Sequence, residues 1–155
     1  VYIGKNKLTD TIEIEGKEST IGKLILSPTR TYAPVLKNLL ENDFDKIHGL
    51  IHCSGGGQTK CLKYLQGNFK IIKDNLFEAP PDFILIKENS GSNNKEMYEV
   101  FNIGGRLEIY CKPEDAATMI AEANKFNIAA QIIGRVEASD KKELLIKLGQ
   151  EEISY

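Results

Sequence analysis

The run His48-Gly49-Leu50-Ile51-His52-Cys53-Ser54-Gly55-Gly56-Gly57 carries the residue types best suited to chemistry in this chain. It reads as a short buried strand ending in a hydroxyl-bearing residue and three successive glycines, after which residues 58–65 follow a helical pattern. A strand, a glycine loop and a helix start bring free backbone N–H groups together, and converging N–H groups bind anions. Glycine also lets a ligand approach the backbone closely. Taken alone, a triple glycine is more often a plain tight turn than a phosphate cradle. A second segment, Leu26-Ser27-Pro28-Thr29-Arg30-Thr31-Tyr32, sets hydroxyls and a guanidinium ahead of a helix. Arg30 can grip a phosphate or carboxylate through two N–H donors, and Thr29 or Thr31 can cap the helix while facing a ligand. The plain alternative there is a helix cap beside a surface arginine.

The remaining chemistry is sparse. Cys53, beside the glycine loop, has no evident base in sequence, so a small packed residue is the favoured reading over a nucleophile. The three cysteines, Cys53, Cys61 and Cys111, are odd in number and lack metal-site spacing, so no metal site is expected. They read as reduced thiols of a cytoplasmic protein. A net charge of −2 gives no footprint for nucleic acid. No apolar run approaches the ~20 residues of a membrane span, and no signal peptide opens the chain. At 155 residues one domain is expected. The chain opens at Val1 rather than at a methionine, which suggests a piece of a longer protein.

The elements that must position these residues follow from periodicity. Residues 1–3 are expected as a strand and residues 5–19 as a loop or loose hairpin around Ile12 and Ile14. The apolar run 21–26 is expected as a strand, stopped by Ser27-Pro28. Pro34 opens a helix with Val35, Leu36, Leu39 and Leu40 on one stripe. The helix 58–65 places Cys61, Leu62 and Leu65 together, with Gly67 as its cap. A strand at 69–72, a helix from Pro81 through Ile86 and a helix over 95–101 follow. Leu107, Ile109 and Cys111 alternate with Glu108 and Tyr110, which predicts a strand buried on the first set. Pro113-Glu114-Asp115 opens a helix to about Phe126, with Asn127 as its left-handed exit. Residues 129–136 and 144–148 are expected as strands, with a hairpin across Ser139-Asp140 as one option. The expected class is α/β (α+β), a layered α/β sandwich with a mixed, partly antiparallel sheet.

Taken together, the two chemical segments resemble a family. Leu-Ser-Pro-Thr-Arg-Thr-Tyr, a helix, and then His-x-Leu-x-His-x-Ser-Gly-Gly-Gly resemble the C-terminal domain of phosphoribosylformylglycinamidine cyclo-ligase, the aminoimidazole ribonucleotide synthetase family. Glu96-Met97-Tyr98-Glu99-Val100-Phe101-Asn102-Ile103-Gly104 resembles the family's helix leading into Phe-Asn-x-Gly, and Ile133-Gly134-Arg135-Val136 resembles its closing Ile-Gly-x-Val strand. The resemblance implies ATP-dependent ring closure of formylglycinamidine ribonucleotide: the formyl oxygen is phosphorylated, an internal nitrogen attacks that carbon, and phosphate leaves. It also implies that ATP and Mg²⁺ are bound mainly by an N-terminal domain absent here, with no cofactor expected on this chain alone. Expected partners are the ribonucleotide, that N-terminal domain, and a second copy in a homodimer of the full-length enzyme.

By the same resemblance, Ser54, Gly55, Gly56, Gly57, Thr29 and Arg30 hold the substrate phosphate, and His52, Asn102, Gly104 and Arg106 line the cleft. Residues 1–20 would be an N-terminal extension or partial linker and 21–155 the substrate-phosphate domain. No general acid or base is identified, and a structural role for His52 remains an equal alternative. Two departures stand out. Gly105-Arg106 occupies the place where the family often has x-Gly, and no Ser- and Gly-rich segment precedes Lys23. Two other readings stay open: another ATP-dependent enzyme of the same superfamily (formylglycinamidine synthase, selenophosphate synthetase or thiamine-phosphate kinase), or a non-catalytic ligand-binding or assembly module.

Overall fold

The structure, a computed structural model, describes residues 4–14, 16–28 and 30–155. The strand expected at residues 1–3 lies outside the described residues. A hairpin opens the described chain, β1 (Thr11–Ile14) pairing antiparallel with β2 (Lys17–Thr20). The apolar run that follows is not a strand but a short helix, α1 (Ile21–Ile25). Thr20 is extended at its N-cap and its hydroxyl accepts from the Lys23 amide at 3.3 Å, while the Gly22 amide donates to the Leu8 carbonyl at 2.8 Å. A side-chain cap therefore outweighs β propensity in a run that buries only Ile21.

The next elements build a covered ribbon. Helix α2 (Ala33–Asn42) buries Val35 and Leu39, as its stripe predicts, and leads to β3 (Ile47–His52). Strand β5 (Leu107–Cys111) pairs antiparallel with β3, from Ile47 opposite Cys111 to His52 opposite Leu107. Helix α6 (Ala116–Asn124) packs beside α2, with Val35, Leu39, Met119 and Ala123 forming one core cluster against Ile47, Ile109 and Cys111. Asn38 donates to Glu122 across the helix pair at 2.8 Å. In chain order α2 ends just before β3 and α6 begins just after β5, both beside the Ile47–Cys111 pair.

The other face of the ribbon meets the second core cluster. Here α3 (Lys60–Tyr64) and α5 (Asn94–Val100) pack on a four-stranded sheet through Cys61, Met97, Tyr98, Ile103, Leu144 and Ile146. That sheet has the order β6 (Gly134–Ala138), β4 (Phe69–Lys73), β7 (Glu143–Leu148), β8 (Glu151–Ser154). Strands β4 and β7 are parallel and the two outer pairs antiparallel, so the sheet is mixed as expected. Helix α4 (Pro81–Ser90) begins at Pro81, and α5 begins with an Asn93–Glu96 capping box.

Three local expectations are corrected. Residues 134–138 and 143–148 do not form a hairpin across Ser139-Asp140, because β4 lies between them; the hairpin is β7–β8, which the sequence reading left out. Helix α3 ends at Leu65 in an extended conformation, so Gly67 (φ +85°) shapes the turn before β4 rather than capping the helix. In β5 the alternation is inverted at one position: Glu108 is 5% exposed. With helices on one face and a second core on the other, no residue of this strand has a purely solvent side.

Gly134, in the segment that resembles Ile-Gly-x-Val, has its Cα face pressed onto the Ile72 carbonyl, and a Cβ there would overlap that oxygen. Gly134→Ala is expected to lower stability by about 2 kcal/mol through displacement of β6 from β4. Chemical denaturation of the two proteins measures it, and a loss under about 0.5 kcal/mol would contradict this packing.

Candidate functional site

The strand β3 delivers His52 to the rim of the ribbon, and the ladder continues one residue further, the Cys53 amide donating to the Arg106 carbonyl at 2.8 Å. The chain then folds into a tight turn. Ser54 N donates to His52 O (2.9 Å), Gly57 N to Ser54 O (3.0 Å), and Thr59 N to Gly56 O (3.0 Å). A single 3₁₀ turn, Gly57–Thr59, runs on into α3. Gly56 lies at φ +92° and Gly57 at φ +48°, conformations that side chains with a Cβ rarely take.

The three glycines do different things. Gly57 is buried, and a Cβ there would overlap the Phe101 backbone, so it serves close packing. Gly55 and Gly56 are exposed, a Cβ on Gly55 would meet open space, and among the described residues nothing accepts from either amide. Those two N–H groups are left unspent among the described residues. Beside them stands a cation that sequence reading missed: Lys60 donates its Nζ to Ser54 Oγ at 2.5 Å across the mouth of the turn. A lysine three residues past the last glycine, at the start of a helix, was the available signal.

The Phe-Asn-x-Gly turn is fastened to this loop. Asn102 donates through Nδ2 to Cys53 O (3.0 Å) and accepts at Oδ1 from Gly104 N (3.0 Å). Both polar ends of its side chain are thus used within the two loops. Gly104, at φ +85°, abuts Pro80, and Ile103 takes a left-handed φ of +46° while buried. Arg106 is half-buried, next to the first residue of β5. Arg30 is exposed and donates from Nη1 to the Asn127 carbonyl at 2.7 Å. It therefore joins the segment before α2 to the segment after α6 and makes no hydrogen bond to the glycine turn. Thr29 lies outside the described residues. His52 is exposed at the strand end.

Behind the turn lies a buried polar cluster that sequence reading did not find. Lys73, 1% exposed at the end of β4, donates its Nζ to Gln58 O (2.8 Å), Gln58 Oε1 (2.9 Å) and Glu108 Oε1 (2.5 Å). Gln58 Nε2 donates to Asn102 O at 2.5 Å. Glu108 also accepts from Cys53 Sγ (3.2 Å) and from the Tyr110 hydroxyl (2.7 Å). Burial, and then the Glu108 charge, pushes the Cys53 thiol far up, and the Tyr110 phenol likewise. Burial also raises Cys61, with Lys73 acting in the opposite direction. A thiol held protonated and out of water is no nucleophile, in line with the packed-residue reading of Cys53. Among the described residues no group of three or more His, Cys, Asp or Glu is placed to hold a metal ion.

The layered α/β sandwich defines the class first. A solved structure of E. coli HypE, a hydrogenase maturation protein, superposes with a TM-score of 0.59 at 16% identity, covering 88% of this chain and 44% of that one. At that identity the likeness concerns the fold alone. A family model described as AIR synthase related protein, C-terminal domain, matches residues 5–147, and the chain belongs to that family. It is 39% identical over 118 residues to a phosphoribosylformylglycinamidine cyclo-ligase of Methanocaldococcus jannaschii, covering 76% of this chain and 33% of the relative. It is 31% identical over 142 residues to the enzyme of that name from Syntrophus aciditrophicus, covering 90% of this chain and 40% of the relative. The chain thus spans a third to two fifths of the length of these relatives, as a C-terminal domain would.

Two outcomes follow from this geometry. Gly55→Ala is expected to stay within about 0.5 kcal/mol of the parent, whereas Gly57→Ala, strained in φ and overlapping Phe101, is expected to cost about 3 kcal/mol; equal costs would contradict the division. At pH 8, iodoacetamide followed by peptide mass mapping is expected to leave Cys53 unmodified until the protein is denatured. Rapid native labelling there would show the thiol to be open.

Proposed function

We propose that this chain is the C-terminal, ribonucleotide-holding part of a phosphoribosylformylglycinamidine cyclo-ligase, contributing the substrate-phosphate half of an active site shared with a preceding ATP-binding domain. The observation that carries this reading is the pair of unspent amides at the exposed Gly55 and Gly56, with the Ser54 hydroxyl and the Lys60 ammonium beside them. Amides, a hydroxyl and a cation suit a phosphate dianion, the handle common to ribonucleotides. Arg106, next to the first residue of β5, and Arg30, ahead of α2, would add guanidinium groups.

In this reading the residues here bind and orient and do not transfer protons. Ring closure joins two atoms of one substrate, so fixing the ribose phosphate restricts the substrate to conformers near attack, and holding contributes directly to rate. ATP would supply the activating phosphoryl group and Mg²⁺ its charge compensation. Both belong to the part of the protein beyond this chain, which would act as a homodimer. The name shared by the curated relatives supports the cyclo-ligase over other members of the superfamily, whose fold is similar.

In the full-length protein, Arg30→Ala is expected to raise the KM for formylglycinamidine ribonucleotide about tenfold with a smaller effect on kcat, the size of one charge-assisted hydrogen bond of about 1.5 kcal/mol. Gly56→Val, which denies the turn its left-handed residue, is expected to raise KM further. Ribose 5-phosphate added to ¹⁵N-labelled protein is expected to shift the Gly55 and Gly56 amides first. Unchanged KM and kcat in both variants, with phosphate shifts elsewhere, would refute the assignment. The chain alone is expected to show no turnover of ATP with the ribonucleotide, and turnover at an enzymatic rate would contradict the shared site.

A further inference from the structure

The buried cluster behind the glycine turn has no part in gripping phosphate, yet its bonds are directed at the turn. Of the three protons on Lys73 Nζ, one meets Glu108 and two meet Gln58, the residue directly after the glycines. Gln58 in turn donates to the Asn102 carbonyl, and Asn102 donates to the Cys53 carbonyl just before the glycines. The bonds run through both sides of the turn and through the Phe-Asn-x-Gly segment. Among the described residues no buried side-chain nitrogen or oxygen lacks a partner. Core stability is a poor explanation for charges here, because a well-packed apolar pair is commonly as stable as a buried ion pair or more so.

We propose that Lys73 and Glu108 are positioning residues, a clamp on Gln58 that locks residues 54–59 and 101–106 into one rigid rim and so fixes the spacing of the phosphate-facing amides. The consequence for binding rests on the phosphate reading of the loop; the clamp itself does not. A rim fixed before the ligand arrives spares the ordering cost that a mobile glycine loop would incur on binding. The pair is thus a determinant of affinity that touches no ligand.

The discriminating variant is Lys73→Met/Glu108→Leu in the full-length protein, which removes both charges together. Its thermal midpoint is expected to stay within a few degrees of the parent. Its amide hydrogen exchange is expected to speed up at least tenfold across residues 54–59 and 102–106, with none in β7 and β8, and its ribonucleotide KM to rise about tenfold with little change in kcat. If the pair served only the core, the apolar double variant would match the parent in all three readouts. Exchange in the two loops within twofold of the parent overturns the clamp. Faster exchange with an unmoved KM leaves the clamp standing and instead removes the phosphate reading of the loop. Should the double variant fail to fold, Lys73→Met/Glu108→Gln, which also leaves no unpaired charge, applies the same test: exchange in both loops about threefold faster, with no change in β7 and β8, supports the clamp, and unchanged loop exchange overturns it.

Discussion

A charge shut away from water must be met entirely by protein atoms, and the ammonium of Lys73 imposes that requirement at the centre of this domain. Its three protons fix where the Gln58 carbonyl, the Gln58 side chain and the Glu108 carboxylate must stand. Gln58 is bound to the glycine turn by sequence, Glu108 to the ribbon by strand register, and Lys73 to the four-stranded sheet as the last residue of β4. One side chain therefore ties together the glycine turn, the ribbon and the four-stranded sheet. Removing one partner alone would leave a buried unpaired charge, a loss of about 3–5 kcal/mol.

The site-bearing part of the fold was legible because its signals are local. A strand, a hydroxyl, three glycines and a helical stripe lie within eighteen residues, and each obeys its own short-range rule. The errors arose where local preference and tertiary context disagree. Residues 21–25 have β-branched composition, but a threonine cap and a glycine under the Leu8 carbonyl make them helical. The strands at 134–138 and 143–148 are neighbours in sequence and would suit a hairpin, yet β4 inserts between them. Nothing in either strand encodes that insertion, since the choice is made by the Ile71 and Ile72 faces of a strand sixty residues earlier.

The buried cluster was illegible for a related reason. Glu108 sits between Leu107 and Ile109, where alternation alone assigns it to solvent. Its burial depends on β5 being covered twice, by α2 and α6 on one side and by the sheet core on the other. Lys73, likewise, looks like the polar end of an apolar run. A register between two non-adjacent strands is needed before the two charges can be recognised as partners, and a single sequence does not carry it. Gly57 offers a milder case: its glycine identity was plain, but its reason, contact with the Phe101 backbone, lies forty-four residues away.

The division of labour among neighbouring residues separates groups spent inside the fold from groups left at its surface. The polar groups buried behind the rim are spent inside the fold. Cys53 is buried and protonated against Glu108, Tyr110 donates to the same carboxylate, and Asn102 has both polar ends engaged. At the exposed turn stand the Gly55 and Gly56 amides, the Ser54 hydroxyl and the Lys60 ammonium, groups that stabilise negative charge, with the exposed His52 next to them at the end of β3. A surface of that composition complements a phosphate. The chain spans a third to two fifths of the length of its relatives, so in the proposed reading the rest of the protein would complete the site.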